Sequence, residues 1–552
     1  MKQNFTKKMS LLLFFITISV TQLLSQAPSF QWVNQGFPKP GGSTPQVKAG
    51  CIALDALGNS YVTGTFVGRT VFGKGTDTLV LNGRSAGSND MGDMYLAKYD
   101  QGGKIVWVRE GLNRQHHVSQ ISGTGVTVDH NNNVYITGIY VDSISFGTTA
   151  LAGSTNSNNY SCSYITKYDA SGNLVWAKGA GTGPVLANGI CVDAAGNSYL
   201  AGIAAQATIS ATSFGNSYSS FIAKYDNNGN VRWAVNPGYS NILSSTIVCY
   251  GNSLFTTGHA SNSIYAAKTD TAGSNIWTKF GTGTGTTTNG SIITADNQGN
   301  CYLAGSFRNS LAFGTTSLSI LPGNTSQQDA FLIKFDGTGN IQWNRTLVSS
   351  GNNDDNISAI CADNAGGIYV SGLFTYQTNF GSVTLPTSAV NPTGGFVAKY
   401  DATSGNNSWA TYTSAHAGLS MAVDTSGIYY IGSFQSSETL GTLTISNTSF
   451  WPSMFITKMH SGSVVGLETL AYDDYGMLVY PNPASINLNI ALSTHWKNVQ
   501  IDVFNITGQK IYSTQNEVFD KTIVPCSNWE RGIYFVKVRN DEAQKTTKVV
   551  IE

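Results

Sequence analysis

The sequence of 552 residues predicts an all-β fold: a seven-bladed β-propeller closed by an N-terminal outer strand, followed by a small C-terminal β-sandwich. Three observations lead to this prediction. Glu, which favours helices, accounts for only seven of the 31 acidic residues. Two short strand–turn–strand signatures alternate seven times along the chain. The strand pattern changes near the C-terminus, which indicates a separate domain.

The composition excludes several classes of function. The 31 Lys and Arg residues balance 31 Asp and Glu residues, so no net positive field attracts phosphate groups, and we expect no nucleic-acid partner. The seven cysteines include no C-x-x-C pair, and neither a disulfide framework nor a zinc site is indicated. We interpret these cysteines as small buried strand residues, and we expect no metal and no cofactor.

Residues 1–26 have the features of a secretory signal peptide. Three lysines lie among the first eight residues, an apolar run extends from Met9 to Val20, and small or polar residues surround a cleavage point near Ser25–Ala27. The run is shorter than the roughly 20 apolar residues that span a bilayer, and no later segment is long enough. The sequence therefore predicts export through the periplasm and no transmembrane segment in the mature chain.

Residues 27–465 contain the seven repeats. The first signature, as in Ile190–Gly202, has Asp-x-x-Gly-Asn between two strands, and the second, as in Phe221–Trp233, has Lys-Tyr-Asp followed by a turn and a Trp strand. The final glycines of the first signature are Gly64, Gly138, Gly202, Gly258, Gly305, Gly372 and Gly432. The lysines of the second are Lys98, Lys167, Lys224, Lys268, Lys334, Lys399 and Lys458. Two hairpins per repeat predict a four-stranded blade, and seven blades predict a propeller.

The ends of the repeat region predict how the ring closes. Six repeats end in a strand that carries Trp, whereas the seventh stops shortly after Lys458 without one. The segment Phe30–Asn34 (FQWVN) matches the missing strand and carries Trp32. We therefore expect it to pair with the segment around Phe455–Lys458 and to cover an otherwise exposed sheet edge.

With these motifs, residues 30–465 resemble the seven-bladed β-propeller repeat (SBBP) proteins of secreted bacterial surface proteins. Matching segments include DNQGNCYLAGSF, SFGTTALAG and DAFLIKFDGTGNIQW. The fourth repeat departs from the pattern, since Cys249 replaces the first turn Asp and only 10 residues separate Gly258 from Lys268. The resemblance implies the propeller fold but little chemistry.

The C-terminal part begins with a polar linker, residues 466–476. Alternating strands and turns at Thr507-Gly508 and Arg531-Gly532 predict a small antiparallel β-sandwich over residues 477–552. This segment resembles the C-terminal sorting domain of type IX secretion cargo from Bacteroidetes. The motif residues that carry the resemblance are Tyr480, Pro481, Asn482, Pro483, Gly508 and Gly532. The resemblance implies recognition by the type IX translocon, a secreted or outer-surface location, and a body that can be attached to surface lipopolysaccharide.

Loop lengths indicate which face of the propeller carries a site. The turns inside both signatures are nearly constant in length, but the connections between the signatures vary from 10 residues (Gly258 to Lys268) to 34 (Gly64 to Lys98). Variable loops on a rigid scaffold often carry function, so we expect the ligand site on this loop face. The predicted ligand-binding residues, which break the sevenfold pattern near the central channel, are Arg114, His116, His117, Asp354, Asp355 and His416.

The residues that occur in every repeat have a simpler interpretation. The seven lysines and the turn aspartates, such as Asp100, Asp169, Asp226 and Asp336, are expected to hold their turns through Lys–Asp pairing. The repeated Trp and Tyr residues are expected to pack between blades rather than to stack on sugars. A histidine pair with two carboxylates could hold a metal or do acid–base chemistry. Polar residues in loops are, however, usually just exposed to solvent, and we assign no catalytic residue.

These observations predict a secreted or cell-surface propeller that acts as a non-catalytic binding or adhesion scaffold for a glycan or protein partner. The alternative is an extracellular hydrolase acting on polysaccharide or peptide, and a third hypothesis is a purely structural adhesion or envelope component. Glycoside hydrolysis needs two opposed carboxylates, yet the propeller has only Glu110 and Glu438 besides its Asp residues. No G-x-S-x-G or H-E-x-x-H motif occurs. Convergence of the six loop residues would favour the enzyme.

Overall fold

The computed structural model describes residues 29–460 and 477–551, apart from 40–44, 84–91, 113–120, 154–160, 238–243, 261–262, 284–291, 320–327, 350–353, 376–377, 381–382, 386–392, 415–417, 442, 448–450, 481–483, 485–486 and 541–543. The predicted signal peptide and linker lie outside the described residues. Within the described ranges the regular structure consists of 45 β-strands. No helix in this part of the chain is long and apolar enough to cross a membrane.

The strands are numbered in chain order. The N-terminal strand is β1 (Phe30–Pro38). Repeat 1 contains β2 (Gln46–Leu54), β3 (Ser60–Val67), β4 (Arg69–Lys74), β5 (Asp77–Asn82), β6 (Asp93–Tyr99) and β7 (Ile105–Gly111). Repeat 2 contains β8 (Ser122–Val128), β9 (Val134–Tyr140), β10 (Ser143–Phe146), β11 (Thr149–Ala152), β12 (Cys162–Tyr168) and β13 (Leu174–Gly179). Repeat 3 contains β14 (Val185–Val192), β15 (Ser198–Ala204), β16 (Thr208–Ile209), β17 (Thr212–Ser213), β18 (Ser219–Tyr225) and β19 (Val231–Val235). Repeat 4 contains β20 (Ser244–Tyr250), β21 (Ser253–Ala260), β22 (Ser263–Asp270) and β23 (Asn275–Gly283).

Repeat 5 contains β24 (Ile292–Ala295), β25 (Cys301–Arg308), β26 (Ser310–Phe313), β27 (Thr316–Ser319), β28 (Gln328–Phe335) and β29 (Ile341–Ser349). Repeat 6 contains β30 (Asn356–Ala362), β31 (Gly367–Thr375), β32 (Thr378–Phe380), β33 (Val383–Leu385), β34 (Thr393–Asp401) and β35 (Asn407–Ser414). Repeat 7 contains β36 (Gly418–Asp424), β37 (Gly427–Phe434), β38 (Glu438–Leu440), β39 (Leu443–Ile445) and β40 (Ser453–Met459). The C-terminal part contains β41 (Met477–Tyr480), β42 (Asn487–Asn505), β43 (Lys510–Pro525), β44 (Gly532–Arg539) and β45 (Gln544–Ile551).

Each repeat builds a four-stranded antiparallel unit. In the described residues the seven units have the strand orders β2-β3-β6-β7, β8-β9-β12-β13, β14-β15-β18-β19, β20-β21-β22-β23, β24-β25-β28-β29, β30-β31-β34-β35 and β36-β37-β40-β1. We call these units 1 to 7 and their strands first to fourth in this order. The first strands contact one another in the series β2, β8, β14, β20, β24, β30, β36 and again β2. The all-β prediction is confirmed, and the hydrophobic core lies between neighbouring units.

The fourth strand of unit 7 comes from the N-terminus. Trp32 pairs with Lys458, Val33 with Thr457 and Gln35 with Phe455. The predicted pairing of Phe30–Asn34 with the segment around Phe455–Lys458 is therefore confirmed. This strand covers the edge that β40 would otherwise expose.

Small hairpins between second and third strands connect neighbouring units. The first strands of hairpins β4–β5, β26–β27 and β32–β33 pair with β1, β23 and β29, each the fourth strand of the preceding unit. Hairpins β10–β11 and β16–β17 make single bridges to the preceding unit, Leu112 with Ser145 and Thr182 with Thr208. We call these elements clasps. Unit 4 has no clasp in the described residues, because only residues 261–262 separate β21 from β22.

The turn of the first signature follows from its sequence. In unit 1 the Asp55 carboxylate accepts hydrogen bonds from the backbone N–H groups of Leu57 (3.0 Å) and Asn59 (2.9 Å) and from the Tyr61 hydroxyl (2.9 Å). Gly58 takes the positive φ of 76° that the turn needs. The carboxylate thus fixes both the turn and the tyrosine that follows it.

The C-terminal strands form one five-stranded sheet of order β41-β42-β44-β45, with β43 also on β42. Strand β42 is 19 residues long and pairs with β43 along most of its length, with β41 in its first half and with β44 in its second half, and the sandwich stays a prediction. Leu488 and Ile490 from its first half share a core with Ile501 and Val503 from its second half. All strands therefore belong to one hydrogen-bonded sheet around a single core.

Candidate functional site

The repeated lysines connect neighbouring units. Lys98 lies over the Tyr61 ring (5.1 Å to the centroid), 3.9 Å from the Asp55 carboxylate, and its Nζ donates to the Ala170 carbonyl of unit 2 (3.2 Å). The same bond to the next unit is made by Lys224, Lys268 and Lys334, to the carbonyls of Thr271, Gly337 and Ala402. Three of these lysines, Lys98, Lys167 and Lys399, therefore lie near the aspartate of the first signature and not, as predicted, beside that of the second. Asp100 instead accepts backbone N–H groups of its own turn.

The fourth-strand tryptophans make a similar connection. Trp343 packs on Tyr302 (5.8 Å between ring centroids), and its Nε1 donates to the Ala402 carbonyl of unit 6 (3.1 Å). Trp32 and Trp277 donate in the same way to Gln101 and Gly337. These rings form contacts between units, which agrees with the packing interpretation.

An axial cavity of about 220 Å³ lies between the first strands. Five of these strands bulge by one residue at the same point, at Gly50, Thr124, Asn188, Ser358 and Leu419. Thr124 Oγ1 donates to the Ala187 carbonyl of the next unit (2.8 Å), and the Ser358 hydroxyl donates to that of Gly418. Much of the remaining wall is formed by Ile190, Ile247, Ile293 and Ile360. The cavity is therefore mainly apolar, and the hydroxyls of Thr124 and Ser358 connect neighbouring units.

Asp354 and Asp355 lie at the entry to β30. Asp354 Oδ1 accepts the Gln328 backbone N–H (3.0 Å), and its Oδ2 lies 3.9 Å from an Arg308 nitrogen. Asp355 is buried, its carboxylate accepts the Thr375 backbone N–H (3.0 Å), and its own N–H donates to the Gln328 carbonyl (2.8 Å). Both aspartates thus fix the connection between units 5 and 6, and their ligand binding stays a prediction.

Four other predicted ligand-binding residues, Arg114, His116, His117 and His416, lie outside the described residues. Convergence of the six residues stays a prediction as well. Among the described residues, no three His, Cys, Asp or Glu side chains are grouped so that they could hold a metal ion.

One acidic residue that the sequence analysis missed lies beside the predicted pair. Asp329 is 7% exposed on β28, directly after Gln328, and burial raises its pKa to about 6. Asp93 has the corresponding place five residues before its repeat lysine and is also buried. A comparison of the seven repeats at this position would have found both, since the other repeats have Cys, Ser or Gly there.

A second cavity, of about 400 Å³, lies beside the fourth strand of unit 1. Burial raises the pKa of Glu110 on its wall, and the nearby Asp93 carboxylate raises it further. Glu110 Oε2 has no hydrogen-bond partner among the described residues. Leu112, which also lines the cavity, is the last described residue before the segment that contains Arg114, His116 and His117. A carboxyl group with a raised pKa therefore lies close in sequence to the predicted loop.

The sorting-domain motif is described in part. Pro481, Asn482 and Pro483 lie outside the described residues, and Tyr480 ends β41. Gly508 has φ 81° in a turn where the Asn505 side chain accepts the N–H groups of Thr507 (3.1 Å) and Gln509 (3.0 Å). Gly532 begins β44.

Comparison with known families identifies this C-terminal region. Residues 478–552 match the family of the secretion system C-terminal sorting domain. This match confirms the predicted type IX sorting domain, and it indicates recognition by the type IX secretion system. The protein is therefore exported and is located at the cell surface or secreted.

The solved structures add little to this conclusion. The Dos1 propeller is 13% identical with a TM-score of 0.37, covering 78% of this chain and 95% of its own. A mitotic checkpoint complex chain is 9% identical with a TM-score of 0.38 (83% and 99% covered), and the computationally designed Ika8 protein is 8% identical with a TM-score of 0.33 (76% and 98%). At these TM-scores the description of the fold rests on the strand pairing. No curated protein matches the sequence.

Proposed function

We propose that this exported protein is a non-catalytic binding or adhesion scaffold, which presents a loop-built face to a glycan or protein partner outside the cell. Its framework is a seven-bladed β-propeller of the SBBP repeat type, closed by the N-terminal strand. One observation carries the proposal. The repeated Lys, Tyr and Trp side chains are committed to contacts between units, as at Lys98 and Trp343, so recognition is left to the parts that differ between repeats.

The strand pairing supports the propeller architecture. Each unit has the strand order expected of a blade, and the series of contacts between first strands returns from β36 to β2. The bulges at Gly50, Thr124, Asn188, Ser358 and Leu419 recur at one level of this series. Such regularity is expected of a scaffold around one axis.

The loop face is where the units differ. The clasp strands are six residues long in β4 and β5 and two residues long in β16 and β17. Unit 4 has no clasp in the described residues, and Asp93 and Asp329 put buried carboxylates on the third strands of only two units. A surface with this asymmetry can select one partner.

The sorting domain indicates where the binding partner is met, namely outside the cell. Recognition by the type IX translocon brings residues 27–465 across the outer membrane, and we propose attachment of this body to surface lipopolysaccharide. A binding face held at the surface meets glycans and outer-membrane proteins first, which makes them the ligand classes to examine.

The test uses the full chain on an array of glycans and outer-membrane proteins. We expect at least one specific ligand, and we expect the combined variant Arg114→Ala, His116→Ala, His117→Ala to bind it about tenfold more weakly, as the loss of about 1.4 kcal/mol would give. The matched control is Leu57→Ala, a 69% exposed side chain in the turn between β2 and β3 on the opposite face, and its affinity should equal that of the wild type. Equal affinity of the loop variant, or loss in the control alone, would contradict the proposed face.

A second candidate, an extracellular hydrolase acting on polysaccharide or peptide, is favoured by one observation. Glu110 combines a raised pKa with a cavity of about 400 Å³, as a general acid requires. Ligands found on the array are therefore incubated with the protein and analysed for cleavage products. Turnover that Glu110→Gln abolishes while binding persists would replace the scaffold with the enzyme.

A further inference from the structure

The junction between units 3 and 4 differs from its neighbours. At the next two junctions the later unit sends a clasp onto the fourth strand of the earlier one, where Phe313 pairs with Gly281 and Asn379 with Val348. Unit 4 has no clasp in the part of the chain that the structure describes. This junction therefore lacks one of the connections that hold other units together.

Two cysteines lie at this junction, one on each side. Cys191 on β14 is 6% exposed and belongs to a cluster with Tyr199 and Ile247, and the half-buried Cys249 on β20 packs against the same cluster. Cys249 Sγ lies 3.1 Å from the carbonyl oxygen of Val192, the residue after Cys191. Both cysteines are free thiols in this structure.

The register of the two first strands places the thiols side by side. A Cβ atom on Gly189 would lie 2.8 Å from the Ile247 nitrogen, so β14 and β20 are in close contact there. Cys191 lies two residues after Gly189, and Cys249 lies two residues after Ile247. Burial raises the pKa of Cys191, and the neighbouring Cys249 thiol raises it further.

We propose that Cys191 and Cys249 form a disulfide during export, which locks unit 3 to unit 4 where the clasp is missing. The two thiols lose two protons and two electrons, and the electrons reduce a protein disulfide of the periplasm to two thiols. Exported chains meet such oxidants, whereas the cytoplasm keeps cysteines reduced.

The difference in exposure gives the order of the exchange. The half-buried Cys249, once deprotonated, attacks the oxidant and forms a mixed disulfide, releasing the first thiol of the oxidant. The Cys191 sulfur then attacks the Cys249 sulfur, forms the internal bond and releases the second thiol. Because both side chains pack in one cluster, the second step is intramolecular and fast.

The remaining cysteines provide the control. Cys361 stands two residues before Asp363, as Cys191 stands two residues before Asp193, and burial raises its pKa too. Cys51, at the junction of units 7 and 1, is approached by the Ser420 hydroxyl (3.7 Å) rather than by a thiol. Cys361→Ser therefore removes a half-buried thiol, comparable in exposure to Cys249, without touching the proposed bond.

The first measurement needs no variant. The full chain is isolated from the exporting cell, or incubated with oxidised glutathione, unfolded in a thiol-alkylating reagent, digested and analysed by mass spectrometry without reduction. We expect one cross-linked pair that joins Cys191 to Cys249, with the other five of the seven cysteines alkylated. Alkylation of both residues, or a bond from either to another cysteine, overturns the proposal.

The second measurement concerns the lock. Reductant should lower the apparent unfolding temperature of the wild type and of Cys361→Ser by about 3–6 °C, because it releases a long closed loop. It should leave Cys249→Ser unchanged. An unchanged wild type, or an equal response in Cys249→Ser, would show that the bond does not hold the units together, and the mapping stands as an independent test if that variant does not fold.

Discussion

Substitution of Val33 by Ala tests closure by the N-terminal strand. Val33 is 7% exposed and belongs to a core cluster with Tyr430, Phe455 and Met459 from unit 7. Its main chain pairs with Thr457, whose hydroxyl also donates to the carbonyl of Trp32. If these contacts hold β1 in unit 7, replacing Val33 by Ala should destabilise the protein as much as a substitution in the hydrophobic core does.

The expected loss follows from the buried area. Two methyl-sized groups leave the core, at about 0.8 kcal/mol each, and a small cavity remains, so we expect a loss of about 2 kcal/mol in the free energy of unfolding. Val106→Ala is the matched control, because Val106 lies on another fourth strand directly before Trp107 but is 48% exposed. There we expect a loss below about 0.5 kcal/mol.

The assay is denaturant-induced unfolding, followed by tryptophan fluorescence under identical conditions for both variants. A midpoint that falls for Val33→Ala and stays near the wild-type value for Val106→Ala supports closure. Equal midpoints for the two variants would refute it, since β1 would then contribute no more than an exposed surface strand.

Three further predictions concern pH and sorting. Burial raises the pKa of Asp329 to about 6, so the native state gains stability as the pH falls below 6 and loses it as the pH rises. At pH 7.5 Asp329→Asn should therefore be more stable than the wild type by about 1–2 kcal/mol, after allowance for solvent screening, and equal unfolding midpoints would contradict this. Burial lowers the pKa of His259, so the wild type should lose stability as the pH falls below the ordinary histidine value of about 6.5. The unfolding free energy of His259→Gln, measured by denaturant titration, should fall less steeply between pH 7 and 5, and an equal dependence on pH in the two proteins would contradict this. Gly508→Ala places a residue with a Cβ atom at φ 81°, so we expect about 1 kcal/mol of strain in the sorting domain. Surface labelling should then detect less protein at the cell surface, and an unchanged amount would show that this turn has no role in sorting.

Much of the fold could be predicted because the repeats report it several times. The seventh repeat lacked its fourth strand, and the N-terminal segment with Trp32 matched the pattern of that strand, so the pairing of the two could be predicted. The clasps could not be predicted, since strands as short as Thr208–Ile209 show no periodicity. The partners of Cys249 were also hidden, because nothing in the sequence sets the register between first strands of different units.

The candidate site was less predictable. Asp354 and Asp355 broke the sevenfold pattern, as a ligand-binding residue should, yet both make hydrogen bonds that hold the start of β30. Departure from a repeat identifies a local requirement and does not say whether that requirement is structural or functional. Asp329 also departs from its repeat, and a comparison of the repeats would have shown this, but its burial depends on neighbours that are distant in sequence.

The pairing of β1 with β40 has a consequence for folding. The hydroxyl of Thr457 and the carbonyl of Trp32 are 425 residues apart in the chain, so this segment can be placed only after every repeat has emerged and assembled. Closing so large a loop is entropically costly and slow. The beginning of the mature chain is thus expected to be the last part of the ring to become ordered, and a nascent or truncated chain stays open.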